Sequence, residues 1–169
     1  DSVSVMLTGS SGTPAIGSAN ITKLDGGAGT DTLSFEEGTP AANTTLSLTT
    51  ANATNFENLT GGSNAETLNG DGNANTLKGQ DGADTLNGNG GNDILIADRS
   101  LDEVGDATTD DNLYGGSGND KLFGNAGDNT LDGGTGADTI YSGNGSDTIV
   151  IRSGDGGSSI TDADILQNF

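Results

Sequence analysis

Aliphatic residues recur every nine positions from Gly61 to Val150. Written in lines of nine, this block gives ten lines without an insertion, and the eighth position of every line is aliphatic. A period of nine is too short for a helical repeat, and glycine at this density costs a helix up to ~1 kcal/mol per residue relative to alanine. The spacing instead predicts strands of about three residues, such as 121–123, alternating with glycine-rich turns, such as 115–120. The aliphatic residues are Leu68, Leu77, Leu86, Leu95, Val104, Leu113, Leu122, Leu131, Ile140 and Ile149.

Side chains alternate along a strand, so position eight would face a core while positions seven and nine point outward. Position six, at the end of each turn, always carries a side-chain oxygen. An oxygen in every line indicates that this position faces a group that binds oxygen, such as a cation. These residues are Glu66, Asn75, Asp84, Asp93, Asp102, Asp111, Asp120, Asn129, Asp138 and Asp147.

Two lines in the middle of the block, residues 97–105 and 106–114, have lost the glycines of positions one and four. Ala97, Ser100, Asp106 and Thr109 stand in their place. Both lines keep an aspartate at position six and an aliphatic residue at position eight. Their combined length equals two full nonapeptides and preserves the spacing, which favours two degenerate repeats over an inserted loop.

Composition supports a cation as the partner. The 169 residues include 25 Asp and Glu against 5 Lys and Arg, for a net charge of −20, and there is no Cys or His. Such a chain repels nucleic acid and anionic lipid and attracts cations. It has no disulfide framework and no thiolate or imidazole metal site, and no apolar run is long enough to span a membrane. Oxygen ligands alone suit a hard cation such as calcium.

The lines GGSGNDKLF (115–123) and GGTGADTIY (133–141), together with GGAGTDTLS (26–34), resemble the glycine-aspartate nonapeptide of the RTX family of secreted bacterial proteins. The resemblance implies an all-β fold, a right-handed parallel β-roll in which two nonapeptides form one coil. It also implies several calcium ions, bound between stacked turns by position-six carboxylates and by backbone carbonyls of the glycine-rich positions.

Carried over to this chain, the resemblance implies that turns two lines apart share an edge of the roll. The best site would lie between turns 115–120 and 133–138, and sites that use Asn75 or Asn129 would be weaker. One edge would hold Glu66, Asp84, Asp102, Asp120 and Asp138, and the other would hold Asn75, Asp93, Asp111, Asn129 and Asp147. Further candidate ligands are Asp31, Gly79, Asp81, Gly82, Gly88, Gly90, Gly115, Ser117, Gly118, Gly133, Thr135 and Gly136.

Three regions follow from the pattern. Residues 1–60, with the isolated repeat 26–34 out of phase with the block, would form irregular solenoid coils that cap the roll. Residues 61–150 are the ten-nonapeptide roll. Residues 151–169 resemble the family's final segment, cut short, as in a piece of a longer protein whose flanking domains would be its partners. The segments VSVML, NTTLSLTT and NFENLT are expected to be strands.

The sequence is predicted to form a calcium-binding module whose folding is driven by extracellular calcium. The resemblance implies type I secretion and a location outside the cell or on the bacterial surface, as part of an adhesin or toxin-like protein. An alternative is a roll attached to a secreted protease, lipase or polysaccharide epimerase, although the chain itself shows no nucleophile and base for catalysis. Another is a module that binds a cell-surface glycan or protein through Phe123 and Tyr141, which the repeat would make neighbours on one face.

Overall fold

The structure, a computed structural model, describes residues 2–5, 24–25, 28–35, 44–48, 53–54, 56–98, 109–152 and 165–167. These residues form strands and turns, and none of them belongs to a helix that is long and apolar enough to cross a membrane. The described strands are β1 (Ser2–Val5), β2 (Leu24–Asp25), β3 (Thr32–Phe35), β4 (Thr44–Ser47), β5 (Ala53–Thr54), β6 (Asn58–Thr60), β7 (Glu66–Asn69), β8 (Thr76–Gln80), β9 (Thr85–Gly90), β10 (Ile94–Asp98), β11 (Asn112–Ser117), β12 (Lys121–Phe123), β13 (Thr130–Thr135), β14 (Thr139–Tyr141), β15 (Thr148–Val150) and β16 (Ile165–Gln167).

Every described strand pair is parallel, and most strands lie in two sheets. One sheet has the order β1-β3-β6-β8-β10-β12-β14-β16, and the other β15-β13-β11-β9-β7-β4, while β2 and β5 pair separately. From β6 to β15, consecutive strands alternate between the two large sheets. Two strands and two turns therefore make one coil, and successive coils stack. The prediction of an all-β parallel β-roll is confirmed.

The core consists mainly of the aliphatic residues at position eight. Because only every second residue of a strand points inward, each short strand contributes one of these side chains. Their exposed fractions are 0 or 1% from Leu59 to Ile140, and the residues from both sheets form one cluster, against which the partly buried Ile149 packs. Residues at positions seven and nine are mostly half-buried or exposed. The predicted inward and outward positions are thus confirmed, and Val104 lies outside the described residues.

The spacing between stacked strands changes once within the repeat block. Leu77 pairs with Leu95, two nonapeptides later, as a coil of two nonapeptides requires. Leu95 pairs with Leu122 and Leu86 with Leu113, and both of these steps span three nonapeptides. The prediction that both degenerate lines keep the regular coil spacing is therefore wrong, because the chain contains one extra nonapeptide between β10 and β11.

Some turns of the stack require glycine at position four. At this position, Gly118 and Gly136 have φ of +133° and +131°, and a Cβ on either would collide with the backbone of the adjacent turn. A side chain is therefore strained at position four of these two turns. Neither degenerate line has this glycine, since Ser100 and Thr109 replace it. Residues 99–108, including Asp102, lie outside the described residues.

The region before the repeat block joins the same sheets. Strands β1, β4 and β6 fall in VSVML, NTTLSLTT and NFENLT, so these three strand predictions are confirmed. Leu33 of the isolated repeat pairs with Leu59, one position short of three nonapeptides, which confirms that this repeat is out of phase. The proposed boundaries at residues 60 and 150 stay predictions.

Candidate metal centre

The position-six side chains form two rows, one along each edge of the roll, where the turns stack. The change of spacing after β10 regroups them, so Asp120 and Asp138 do not share an edge with Asp84 as the sequence predicted. Asp84 is followed in its row by Asp111, and Asp93 in the other row by Asp120. One row holds Glu66, Asp84, Asp111, Asn129 and Asp147, and the other holds Asn75, Asp93, Asp120 and Asp138.

A ladder of hydrogen bonds links the members of each row. The backbone N–H of each residue donates to one side-chain oxygen of the residue above it in the stack. One carboxylate oxygen per aspartate thereby satisfies a buried N–H, which is a structural role that needs no ion. The bonds run from Glu66 to Asp84 (2.8 Å), Asn75 to Asp93 (2.8 Å), Asp84 to Asp111 (2.6 Å), Asp93 to Asp120 (2.7 Å), Asp111 to Asn129 (2.8 Å), Asp120 to Asp138 (2.8 Å) and Asn129 to Asp147 (3.0 Å).

The second oxygen of several carboxylates is buried without a donor. Oδ2 of Asp84, Asp93 and Asp120 and Oε1 of Glu66 have no hydrogen-bond partner among the described residues. The three aspartates are at most 1% exposed. A buried carboxylate oxygen with no donor is costly, and a bound cation removes that cost.

The position-one glycines make room for these oxygens. A Cβ on Gly115 would collide with Oδ2 of Asp120 and with the carbonyl oxygen of Gly133 in the next turn of the row. The absent Cβ thus leaves a cradle in which a carboxylate oxygen and a carbonyl oxygen approach the same point. The equivalent cradle at Gly79 contains Oδ2 of Asp84 and the carbonyl oxygen of Ala97. The cradle at Gly88 contains Oδ2 of Asp93 and the carbonyl oxygen of Gly115. A Cβ on Gly133 would likewise collide with Asp138.

The position-four glycines allow adjacent turns to stack closely. Gly82 and Gly118 have φ of +112° and +133°, and a Cβ on either would collide with the carbonyl oxygen of the turn below.

At position three, Ser117 and Thr135 expose their side chains. Their carbonyl oxygens accept hydrogen bonds of 2.9 Å from the N–H groups of Gly91 and Gly118. Metal binding by carbonyls at position three, also for Asp81 and Gly90, stays a prediction.

Burial also raises the pKa of aspartates in both rows. It raises the pKa of Asp84 to about 8, an effect that the hydrogen bond from Glu66 opposes and that the nearby charges of Asp111, Glu66 and Asp98 reinforce. Burial likewise raises the pKa of Asp93 and of Asp120 to about 6, against the hydrogen bonds from Asn75 and from Asp93. Without a cation, these carboxylates therefore take up protons at pH values near neutrality.

The donor set of the cradles fits calcium. The described residues contain no group of three or more His, Cys, Asp or Glu side chains that could hold a metal ion. Each cradle instead offers a carboxylate oxygen beside a backbone carbonyl oxygen. Calcium accepts such mixed oxygen ligands in variable geometry, whereas softer metals prefer the Cys and His that this chain lacks.

Five predicted ligands differ from the regular sites. Asp147, at the end of its row, is only half-buried. Asp31, in the turn before β3, is fully buried, and its backbone N–H donates to Oε2 of Glu57 (2.8 Å), so it lies in the row that continues to Asn75. Asn75 and Asn129 are buried amides. Asp102 lies outside the described residues.

Position five carries a second ladder that the sequence patterns did not reveal. The backbone N–H of Asn119 donates to Oδ1 of Asn92 and that of Ala137 to Oδ1 of Asn119 (2.8 and 2.9 Å). Asp110 and Asp128 do the same for the turns above them. At position five the later turn donates to the earlier one, whereas at position six the earlier turn donates to the later one. Stacked turns are therefore linked by hydrogen bonds in both directions. The available signal was an Asn or Asp at position five in lines where others have alanine.

Phe123 and Tyr141 are neighbours on one sheet face, as predicted. They pair across β12 and β14, and their rings stack with centroids 4.7 Å apart and planes 3° from parallel. Each ring therefore covers one face of the other, so the two side chains pack together on the surface of this sheet.

Comparison with known proteins places the repeats in a family. The model of the RTX calcium-binding nonapeptide repeat matches four segments, 23–39, 60–95, 114–149 and 123–157, which together cover more than half of the chain. The segment with the extra nonapeptide falls between the second and third matches. No curated protein and no solved structure matched the chain.

Proposed function

This chain belongs to the family of RTX calcium-binding nonapeptide repeats and is a calcium-binding β-roll module, and we propose that calcium drives its folding outside the cell. The observation that carries the proposal is the set of buried oxygens without a donor, on Asp84, Asp93 and Asp120. Folding without a cation brings these carboxylates into the interior uncompensated. Folding with calcium gives each of them a partner.

Calcium would be held by the cradles beside Gly79, Gly88 and Gly115. There Oδ2 of Asp84, Asp93 and Asp120 lies next to a carbonyl oxygen of the adjacent turn. The ion supplies positive charge and coordination that link one turn to the next. Because each cradle is assembled from two turns, the unfolded chain has no such site, and binding stabilises the folded state by mass action.

The same coupling supports a proposal about the location of the parent protein. Calcium modules outside cells bind at about 0.1 to 1 mM, so a chain of this kind stays unfolded where calcium is scarce and folds where it is plentiful. We propose type I secretion and a role in a large adhesin or toxin-like protein, which the family resemblance supports. For the chain itself we propose a structural role without catalysis, since it contains no His and no Cys.

Direct calcium binding tests the proposal. Isothermal titration of the chelator-treated chain with calcium should show several ions bound with an apparent Kd on the order of 0.1 to 1 mM. Magnesium at the same concentrations should bind much more weakly, because it demands a smaller octahedral shell and dehydrates reluctantly. The proposal is wrong if the chain binds no calcium at a few millimolar, or if magnesium binds equally well.

A further inference from the structure

We propose that the side-chain amide of Asn129 acts as a built-in substitute for a cation, so that turn 124–129 is closed without calcium and binds none. This inference rests on the proposed function, because it specifies which turns of the calcium-binding roll take an ion. It changes the role that the sequence predicted for Asn129, from a weak ligand to an occupant of the cradle.

The contacts of Asn129 account for all of its polar side-chain atoms. Nδ2 donates to the carbonyl oxygens of Gly124 (2.9 Å), Ala126 (3.2 Å) and Gly127 (3.3 Å) of its own turn. Oδ1 accepts a hydrogen bond from the backbone N–H of Asp111 (2.8 Å). The residue is 1% exposed. A single amide therefore gathers three carbonyl oxygens and also continues the ladder of its row.

Nδ2 lies where the aspartate turns have an oxygen. A Cβ built on Gly124 would approach Nδ2 of Asn129 at 3.1 Å, whereas one on Gly115 would collide with Oδ2 of Asp120. In both turns a carbonyl oxygen of the next turn lies against the same point, from Ser142 or from Gly133. The aspartate cradle thus contains only acceptors, while the asparagine cradle contains a donor.

The surroundings fix the orientation of this amide. Exchanging Oδ1 and Nδ2 would set Oδ1 against three carbonyl oxygens and would set Nδ2 against the N–H of Asp111. All four contacts would then be repulsive. The nitrogen must therefore face the carbonyls, and a calcium ion has no place beside it because both would need the same oxygens.

Turn shape is the second requirement, and Asn75 shows it. Asn125 and Gly127 have φ of +62° and +99°, whereas no residue of turn 70–75, which the structure describes in full, has positive φ. In that turn Oδ1 of Asn75 accepts from the N–H of Asp71 (2.9 Å). Its Nδ2 is buried with no partner among the described residues. An asparagine at position six therefore closes the turn only where the backbone directs its carbonyls inward.

The consequence is an interruption in one row of calcium sites. Asp84 and its neighbours precede Asn129 in this row, and only Asp147 follows it among the described members. The closed turn lies within the second half of the roll, where it links β12 and β13 without an ion of its own. The other row has aspartate at the corresponding level and depends on the ion.

The variant Asn129→Asp tests this directly. The carboxylate keeps the acceptor for Asp111 but faces three carbonyls without a donor, so it should need a cation. We expect one additional bound calcium ion in titration, and a folding midpoint at a higher calcium concentration than that of the parent chain. Asn119→Asp is the matched control, because it adds the same charge at an exposed position where Asp128 shows that a carboxylate is accommodated. It should change neither the stoichiometry nor the calcium midpoint of folding appreciably.

The opposite substitution protects the test against a variant that fails to fold. Turn 115–120 has positive φ at Gly116 and Gly118, as turn 124–129 has at Asn125 and Gly127. Asp120→Asn should therefore bind one calcium ion fewer and reach its folding midpoint at a lower calcium concentration than the parent chain. Unchanged stoichiometry in both Asn129→Asp and Asp120→Asn overturns the inference. Absence of calcium binding by the parent chain instead overturns the proposed function, and this inference with it.

Discussion

The position-six aspartates Asp84, Asp93 and Asp120 each have two oxygens with different tasks. In Asp120, Oδ1 accepts the N–H of Asp93, and Oδ2 lies buried beside Gly115. The first task aligns the turns, and the second creates the demand for a cation. Glycine at position one is what brings the second oxygen and a carbonyl together.

Replacement of Gly115 by alanine should remove a cradle. Its Cβ would collide with Oδ2 of Asp120 and with the carbonyl oxygen of Gly133, so the turns must move apart. We expect a loss of about 2 kcal/mol or more in the free energy of unfolding in calcium. Gly72→Ala is the control, because nothing lies within 4 Å of its Cβ position. Urea titration in calcium compares the two, and equal losses would contradict the cradle geometry.

The raised carboxyl pKa values predict how pH acts on the calcium-free chain. Folding raises the pKa of Asp84 from 3.8 to about 8 and those of Asp93 and Asp120 to about 6. Between pH 3.8 and these raised pKa values, the folded chain therefore binds more protons than the unfolded chain. Its free energy of unfolding should be greatest below pH 3.8 and should fall as the pH rises through 6 and 8.

Circular dichroism in chelator tests this sign. Acidification from about pH 8 to about pH 5 should increase the β-structure of the calcium-free chain, because protons neutralise the buried carboxylates. In limiting calcium the same change should release the ion, because its ligands must be deprotonated. A calcium-free chain that loses β-structure on acidification would contradict the buried position of these groups.

Sequence patterns predicted part of this site and missed the rest. A strict period of nine identified Asp84, Asp93 and Asp120 as a set, because every line repeats the same chemistry. The position-five ladder was missed because that position varies irregularly among alanine, asparagine, aspartate, leucine and serine, which gives no periodic signal. The closure by Asn129 was missed because it depends on which atom of the amide faces the carbonyls, which only three-dimensional geometry reveals.

At the scale of strands, the repeat makes each element nearly interchangeable with the next. The prediction of three-residue strands was confirmed for β12 (Lys121–Phe123), whereas β11 and β13 extend into the following turn and reach six residues. Their extension pairs Gly116 with Gly134, so one edge of the roll has sheet-like turns. The change of stacking from two to three nonapeptides was missed because the extra length equals one period, which leaves the sequence pattern in phase.

Deletion of residues 99–107 tests the altered spacing. The turn that remains between Ala97 and Asp111 would have the length of a regular turn, and β9 and β11 would still pair. We therefore expect the shortened chain to show the same calcium-induced β-structure, with its calcium midpoint within about twofold of the parent's, since strand pairing is unchanged. Loss of calcium-induced folding would show that the extra nonapeptide is needed for the stack.

At the scale of the whole molecule, the net charge and the small core both oppose folding without a cation. The chain carries a net charge of −20, and the core of its described part consists mainly of one aliphatic side chain per short strand, enclosed by two sheets. So small a core offsets little of the entropy of ordering the chain, and self-repulsion opposes compaction. Calcium acts on both, since it neutralises buried carboxylates and links each turn to the next.

The far-UV circular dichroism spectrum in chelator and in a few millimolar calcium tests the central claim most directly. Folding driven by calcium predicts a disordered spectrum in chelator that converts to a β spectrum when calcium is added, and reverts when the ion is removed. The same folded β spectrum in both conditions would contradict it.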